Sequence, residues 1–469
     1  MKRLILPLLF ACAAPTGAAT FAVTNAFDSG AGSLRDAMTQ ANAASGNTHR
    51  IEFASALNGS VIELLSPLPT ITKMGLEIDG PGISIEPLNP LNSHRLLVAS
   101  SNVLTLTLRG LSLSGGLATG SGTGGGCLDG SAVDLGATLR LEDTRFRSCL
   151  SAYTSFSRGG AVHWRGASMV IQDSIFENNA AAALGTGALD QASGGAVYAA
   201  GVVNVARSRF SSQIVNGKFT YGGAIATRES LIITDSVFYD NAAVPEAISG
   251  ADSAGGAVVV DCESCLLRIE RSFFGDNRSQ NGSAVFVRGN LVSPLMPVTL
   301  SNVSFSGNTV NAGESGGALY AVRSAVTGDH LSFQGNSGGA AHLRLVASTL
   351  PALRNSVLGA STGAGCGAFF AQQNIGNIVT DASCQAALPG ATRIDGLAAA
   401  TVNVNEPMPV IAYPVGSPLI DAGDAASCLA VDTRNTPRPQ DGNNDGQSRC
   451  DVGAYERLGN GIFANGFEG

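Results

Sequence analysis

Lysine is almost missing from this chain: three occur in 469 residues (Lys2, Lys73, Lys218), and the formal net charge is −8. A chain this short of basic surface, with a pI near 5.2, argues against nucleic acid or an anionic membrane as a partner, since both select positive patches. Charged residues of either sign make up 14%, well below the quarter or so typical of soluble domains. Tryptophan occurs once, and the five histidines (His49, His94, His163, His330, His342) are scattered, without the spacing of a metal or catalytic motif. Beyond the N-terminus no segment approaches the roughly 18 uninterrupted apolar residues of a membrane helix, so the mature chain is expected to have no transmembrane segment.

What is present begins with an export signal. Met1-Lys2-Arg3 precedes an apolar run over 4–12, then Pro15 and small residues ending at Ala19. This order of charge, hydrophobe and small residues predicts a secretory signal peptide over 1–19 and places the protein outside the bacterial cytoplasm, secreted or on the cell surface. Acylation at Cys12 is the lesser alternative, because Phe10 stands where such sites carry a small residue. Eight cysteines remain after cleavage: Cys127, Cys149, Cys262, Cys265, Cys366, Cys384, Cys428 and Cys450. An even number in an exported chain implies disulfides, with nearest-neighbour pairing the simplest of many connectivities. Cys262-Glu-Ser-Cys265 is read as a local bridge instead of a metal half-site, having no second CxxC and no nearby histidine.

Glycine, 59 residues, exceeds its usual share of about 7%, and much of it recurs in register. Eight-residue blocks ending in an aromatic appear at 139–146 (LRLEDTRF), 169–176 (MVIQDSIF), 203–210 (VNVARSRF), 231–238 (LIITDSVF), 267–274 (LRIERSFF), 298–305 (VTLSNVSF) and 326–333 (VTGDHLSF). Three residues after the aromatic stands Asn179, Asn241, Asn277, Asn308 or Asn336, with Cys149 and Gln213 as exceptions. After a loop of variable length comes a glycine pair and an apolar strand, as in Gly159-Gly160-Ala161-Val162. Positions one and three of the blocks are almost always aliphatic while two and four vary, the period-two pattern of a strand with one buried face. A unit this short cannot be a domain, so each should form one coil stacked on the next. The expected fold is therefore all-β: a single right-handed parallel β-helix with phenylalanines stacked inside and asparagines forming an amide ladder in a turn.

Open solenoid ends need covers. Ser33-Leu34-Arg35-Asp36 has a capping-box pattern, and Leu34, Ala37, Met38 and Ala41 share one helical face, predicting a short amphipathic cap over 33–42. The expected organisation is a signal peptide (1–19), cap and first coils (20–95), β-helix repeats (96–385), a small disulfide-containing module (386–457) and a tail (458–469).

The GGA(V/I/L) and F-x-x-N motifs resemble the repeats of polymorphic outer-membrane proteins, surface adhesins of bacteria, over roughly 125–341. The N-terminal GSLRDAM and IDGPG, with Ser417-Pro418-Leu419-Ile420-Asp421-Ala422-Gly423 and the run from Cys450 to Glu456, look like the choice-of-anchor Q type of β-helix protein in the pectin-lyase-like superfamily. The tail 462–468 is similar to short terminal tags of other exported proteins. The resemblance implies a displayed or released adhesin-like protein that binds a polysaccharide or a cell-surface protein. The chain departs from the polymorphic outer-membrane pattern in lacking a β-barrel translocator.

Candidate sites are few. Asp441-Gly442-Asn443-Asn444-Asp445-Gly446 matches the first half of a calcium loop, in which alternating oxygen ligands wrap a hard cation around a glycine bend. Val452 stands where the closing glutamate belongs, so Asp441, Asn443, Asp445 and Asp451 form a weak calcium candidate, the alternative being a polar turn. The fifth position of the blocks carries Asp143, Asp173, Arg207, Asp235, Arg271, Asn302 and His330, which stacking should bring into one outer row. Such a row holds the carboxylates a lyase or glycoside hydrolase would need, but its mixed signs favour a solvated stripe. Trp164 is either a sugar platform or packing. The inter-motif loops should project from one side of the solenoid, but they look poor in the aromatics that dominate binding. The sequence thus favours a non-enzymatic binding protein, with no cofactor beyond possible calcium and no catalytic residues assigned; a polysaccharide lyase or hydrolase on the same fold is the alternative.

Overall fold

The blocks stack. In the computed structural model, which describes residues 18–459 apart from 90–93, 121–122, 186, 188, 247–249, 291–293, 312–315 and 370, the chain winds into a parallel β-solenoid of about 10 turns. The expected signal peptide, except its last two residues, and the tail from 460 onward lie outside the described residues. One 22-stranded and one 17-stranded parallel sheet form the main walls. Register follows the sequence blocks: Leu139, Met169 and Val203 pair in succession, as do Phe146, Phe176 and Phe210. Positions one and three point inward and are buried, Leu139 and Leu141, Met169 and Ile171, Leu231 and Ile233 among them.

The phenylalanine stack is continuous. Rings of Phe146, Phe176, Phe210, Phe238, Phe274, Phe305 and Phe333 lie 4.6–5.4 Å apart and nearly parallel. Because the coil spacing matches a ring-stacking distance, one aromatic position repeated along the chain yields the whole column. Beside it runs the amide ladder. Asn241 Nδ2 donates to Asn277 Oδ1, Asn277 to Asn308 and Asn308 to Asn336, each at 2.9 Å. Each asparagine also donates to a phenylalanine carbonyl of the preceding coil, as Asn277 does to Phe238 O. At the Gln213 rung the side chain accepts from Asn179 and donates back to Phe176 O, while the backbone N carries the run on to Asn241 Oδ1. At the other end Asn336 Nδ2 meets His342 Nδ1, whose Nε2 lies 2.9 Å from Gly359 O. Burial holds His342 down to about 4, so near neutral pH the ring is uncharged and closes the ladder as an acceptor.

Two features differ from the sequence expectation. First, a hydroxyl ladder, not anticipated, occupies the sixth block position. Thr144 N donates to Ser174 Oγ, Ser174 N to Ser208, Ser208 N to Ser236, and Ser236 N to Ser272. It is interrupted where Val303 and Leu331 replace serine, and resumes where Leu331 N donates to Ser356 Oγ. Leu331 packs where Gly328 has no side chain, its Cδ1 lying 2.7 Å from the position of a glycine Cβ. Second, the loops are not merely loops. Phe156–Arg158, Gln191–Ser193, Phe219–Tyr221 and Asp252–Ala254 form a third, four-stranded parallel sheet.

The cap is α1 (Leu34–Ala43), with Ser33 Oγ accepting from Asp36 N and Leu34, Ala37, Met38 and Ala41 buried, as expected. A second helix, α2 (Ala382–Ala387), was not anticipated; Asp381 caps it by accepting from Ser383 N and Cys384 N. Coil pairing continues to Thr392–Arg393, a little past the expected boundary at 385. The cysteines pair as nearest neighbours, Cys127–Cys149, Cys262–Cys265, Cys366–Cys384 and Cys428–Cys450, with Cα separations of 4.8–6.1 Å, inside the range a disulfide spans.

The C-terminal module does not extend the stack. It folds back along the outside of the late coils. Ile411, Tyr413, Leu419 and Val452 pack on Val357 and Ile378, and Ala454 N donates to Ser332 Oγ. The outward residue before each stacked phenylalanine records this cover: Arg145 is exposed, Ile175 and Arg209 half-buried, and Val237, Phe273, Ser304 and Ser332 buried, as is Val357 before Leu358 in the next coil.

Candidate functional site

The glycine pairs create a concavity on a flank that carries aromatic side chains. The first glycine of the pairs beginning at Gly159, Gly194, Gly222 and Gly255, and the single Gly282 of the weaker copy, have φ between +62° and +68°, and a Cβ there would strike the carbonyl three residues ahead. The second lies against the backbone of the next coil's pair, Gly160 on Gly195 O and Gly195 on Gly223 O. Only glycine satisfies both the left-handed corner and the close approach. The corner turns the chain sharply from the third sheet into the 17-stranded sheet, leaving a re-entrant angle between them.

Into that angle face two rows. From the 17-stranded sheet come Asp129, His163, Tyr198, Ala226, Val259, Phe286, Tyr320 and Arg344, paired in register. From the third sheet come Arg158, Ser193, Tyr221 and Ala254. The result is a cleft of about 160 Å³ lined by Tyr198, Tyr221, Val259 and Phe286, with Gln191, Ser193, Thr227, Arg228, Asp261 and Arg288 at its edges. Arg158 covers the Tyr198 ring at 4.8 Å and Arg344 the Tyr320 ring at 5.6 Å. Arg288 grips Asp261 through two hydrogen bonds, and that contact raises its pKa. Burial raises the Tyr221 phenol and also the Asp252 carboxyl, which accepts from Asn281. The cleft therefore offers aromatic faces beside fixed, planar hydrogen-bonding groups.

These residues do not stand out in the sequence because they are split between the variable segments, which carry Arg158, Ser193 and Tyr221, and the apolar strand after the glycine pair. The signal is there: the residue after GGA(V/I/L) points outward, and at Tyr198, Phe286 and Tyr320 it is aromatic. His163 lies in the same row, but burial and the neighbouring Arg158 and Arg95 push it down to about 3, so it is neutral and its ring packs edge-on against Tyr198. Trp164 is fully buried in the core, so it packs and is no sugar platform.

The fifth-position row forms as expected, each residue at a left-handed corner with φ between +43° and +53°. Four of its charges are paired between coils, Asp143 being outside these pairs. Arg207 holds Asp173 through two hydrogen bonds of 2.7 and 2.9 Å, and Arg271 holds Asp235 through two of 2.7 and 3.0 Å. The Arg207 contact keeps Asp173 below the usual carboxylate range, the opposite of what a general acid needs. The end of the row is not solvated: Asn302 and His330 are buried beneath the C-terminal module, and Asn302 Nδ2 donates to Val431 O.

In the calcium candidate, Asp441 accepts from Asp445 N and Gly446 N, Asn443 Oδ1 from Asp445 N, and Asp445 from Gln447 N. Asp451 sits apart and buried, its oxygens taken by Asp421 N and Arg457 N. Among the described residues, the carboxylates of Asp441, Asp445 and Asp451 do not converge; the one group of three histidine, cysteine or acidic ligand atoms within 4.8 Å of one another is His330, Cys428 and Cys450.

Fold and cleft together define a parallel β-solenoid with a lateral aromatic cleft. Comparison with protein-family models, with curated proteins and with solved structures gave no match, so the site is interpreted from its own geometry.

Proposed function

We propose that this is an exported, non-enzymatic binding protein that takes an oligosaccharide in the cleft between the third sheet and the 17-stranded sheet. The observation that carries this reading is the juxtaposition of Tyr198, Tyr221 and Phe286 with the Arg288–Asp261 pair and Gln191. Sugar rings present apolar C–H faces and a hydroxyl perimeter, which aromatic rings and rigid planar polar groups match respectively. Export is supported by the order of residues over 1–19 and by four cysteine pairs. The N-terminal GSLRDAM and IDGPG and the C-terminal segments 417–423 and 450–456 favour membership among choice-of-anchor Q type β-helix proteins, with a place on or outside the bacterial surface. A lyase or hydrolase is the weaker reading, because Asp173 and Asp235 are each engaged by an arginine of the next coil.

The test is a glycan panel against the purified mature chain, followed by calorimetry on any hit. Tyr221→Ala should weaken binding at least about tenfold, about 1.4 kcal/mol, as expected for an aromatic anchor, while Asp143→Ala should leave it unchanged. Binding untouched by Tyr221→Ala would place the site elsewhere, and absence of binding across the panel would remove the reading.

A further inference from the structure

Beneath the C-terminal module lies an arrangement that sugar binding does not use. His330, at the fifth position of the last full block, is completely buried, and neither ring nitrogen has a hydrogen-bond partner. Buried imidazoles almost always satisfy at least one nitrogen. Against this ring lies the Cys428–Cys450 bridge, and a His330 nitrogen and the two sulfurs all fall within 4.8 Å of one another. Asn302, one coil back in the same row, is also buried, with an unpartnered Oδ1. The three groups come from two separate parts of the chain, the coil flank and the module folded over it.

We propose that Cys428, Cys450 and His330 form a redox-gated site for a divalent cation of the zinc type. In the oxidised protein the sulfurs are bonded to each other and the imidazole is idle. A thiol or phosphine reductant delivers two electrons to the disulfide, itself becoming a disulfide or a phosphine oxide, and two protons from the reductant thiols or water leave two thiols. The cation then displaces their two protons and is held by two thiolates and the neutral imidazole, with the fourth position left to water or to Asn302 Oδ1. Two thiolates cancel the charge of the cation, so the filled site is neutral, as a buried location requires. Cys₂His with one further ligand is an established zinc set. A disulfide-specific oxidant reverses the exchange: two electrons leave the thiolates, the sulfur–sulfur bond re-forms and the ion is expelled. The cation would tie the module to the coil flank through His330, a link that the disulfide, lying wholly within the module, does not make. The inference is independent of the cleft and of any sugar.

The experiment titrates cobalt(II), a spectroscopic substitute for zinc, into the full mature chain with and without prior phosphine reduction under argon. One equivalent should bind the reduced protein, giving a thiolate-to-cobalt charge-transfer band and the visible ligand-field bands of a tetrahedral site. The oxidised protein should give neither. His330→Ala should weaken cobalt binding at least about tenfold, in line with loss of a direct ligand, and Cys428→Ser should abolish the charge-transfer band. Cys262→Ser/Cys265→Ser should leave the spectrum intact, excluding the CxxC pair. Circular dichroism on each variant confirms that the solenoid is retained; should Cys428→Ser not fold, the oxidised against reduced wild-type comparison decides alone. Cobalt bound equally by oxidised protein, an unchanged spectrum in His330→Ala, or no binding after reduction would overturn the proposal.

Discussion

At the scale of the residue, the solenoid depends on side chains that repeat a bond once per coil. Asn277 accepts from Asn241 N and Asn241 Nδ2 and donates to Phe238 O and Asn308 Oδ1. Asn277→Ala strands several buried polar groups at once, each worth about 1–3 kcal/mol, so it should destabilise by about 3 kcal/mol or more in denaturant titration. An exposed change in the same coil, Arg268→Ala, should shift the midpoint little. The phenylalanine column and the asparagine ladder were legible because large aromatics and amides at fixed offsets stand out. The serine ladder was not, since Ser174, Ser208, Ser236 and Ser272 are common residues whose role is set by the left-handed corner immediately before them. Trp164 illustrates the converse: a rare residue draws attention, yet only the register, with inward neighbours on both sides, shows that it packs.

Among the elements, the glycine corners carry most consequence. Gly194 has φ +68° and a Cβ there would meet Val197 O. Gly194→Ala should therefore cost at least the about 1–2 kcal/mol of a left-handed L-residue, with the clash added. It should also open the angle between the third sheet and its neighbour, which is measurable as lost thermal stability together with increased cleavage near 185–193. The strands themselves follow from aliphatic alternation, and the cap α1 from Ser33 and its apolar face. The third sheet escaped notice because its strands are three residues long, Phe156–Arg158 for example. Three residues are too few for periodicity to register, and only stacking on equivalent segments makes them strands. The cleft was hidden with them, since its aromatics lie on two elements that meet only in space.

Taken as a whole, the molecule is a solenoid with a module folded back along its late coils, and the stability of that module is expected to depend on pH. In the module, Arg438 lies 3.4 Å from Glu456, both fully buried. Burial still raises Glu456 from 4.5 to about 7 and Asp451 from 3.8 to about 6, because one guanidinium cannot offset several enclosed carboxylates. For Glu456 the folded form holds a proton that the unfolded chain releases above about pH 4.5. Its contribution is complete below that value and lost as pH rises through about 7. The module should resist proteolysis and heat better at about pH 5 than at about pH 8, and Glu456→Gln should flatten the difference, whatever its effect on absolute stability. A steeper profile in the variant would contradict this assignment.

The amide ladder has one further consequence. Apart from the bonds each side chain sends back to a phenylalanine carbonyl, the rung-to-rung hydrogen bonds all run the same way, from each coil to the one after it, through the backbone N at Gln213, until His342 receives the last. The column is therefore vectorial, with a donor face at one end and an acceptor face at the other. Coils can be gained or lost from its middle without penalty to that polarity, because any excised unit leaves a donor facing an acceptor. The length of this solenoid is thus free to drift in evolution while its direction is not, and a repeat inserted backwards would find no place in it.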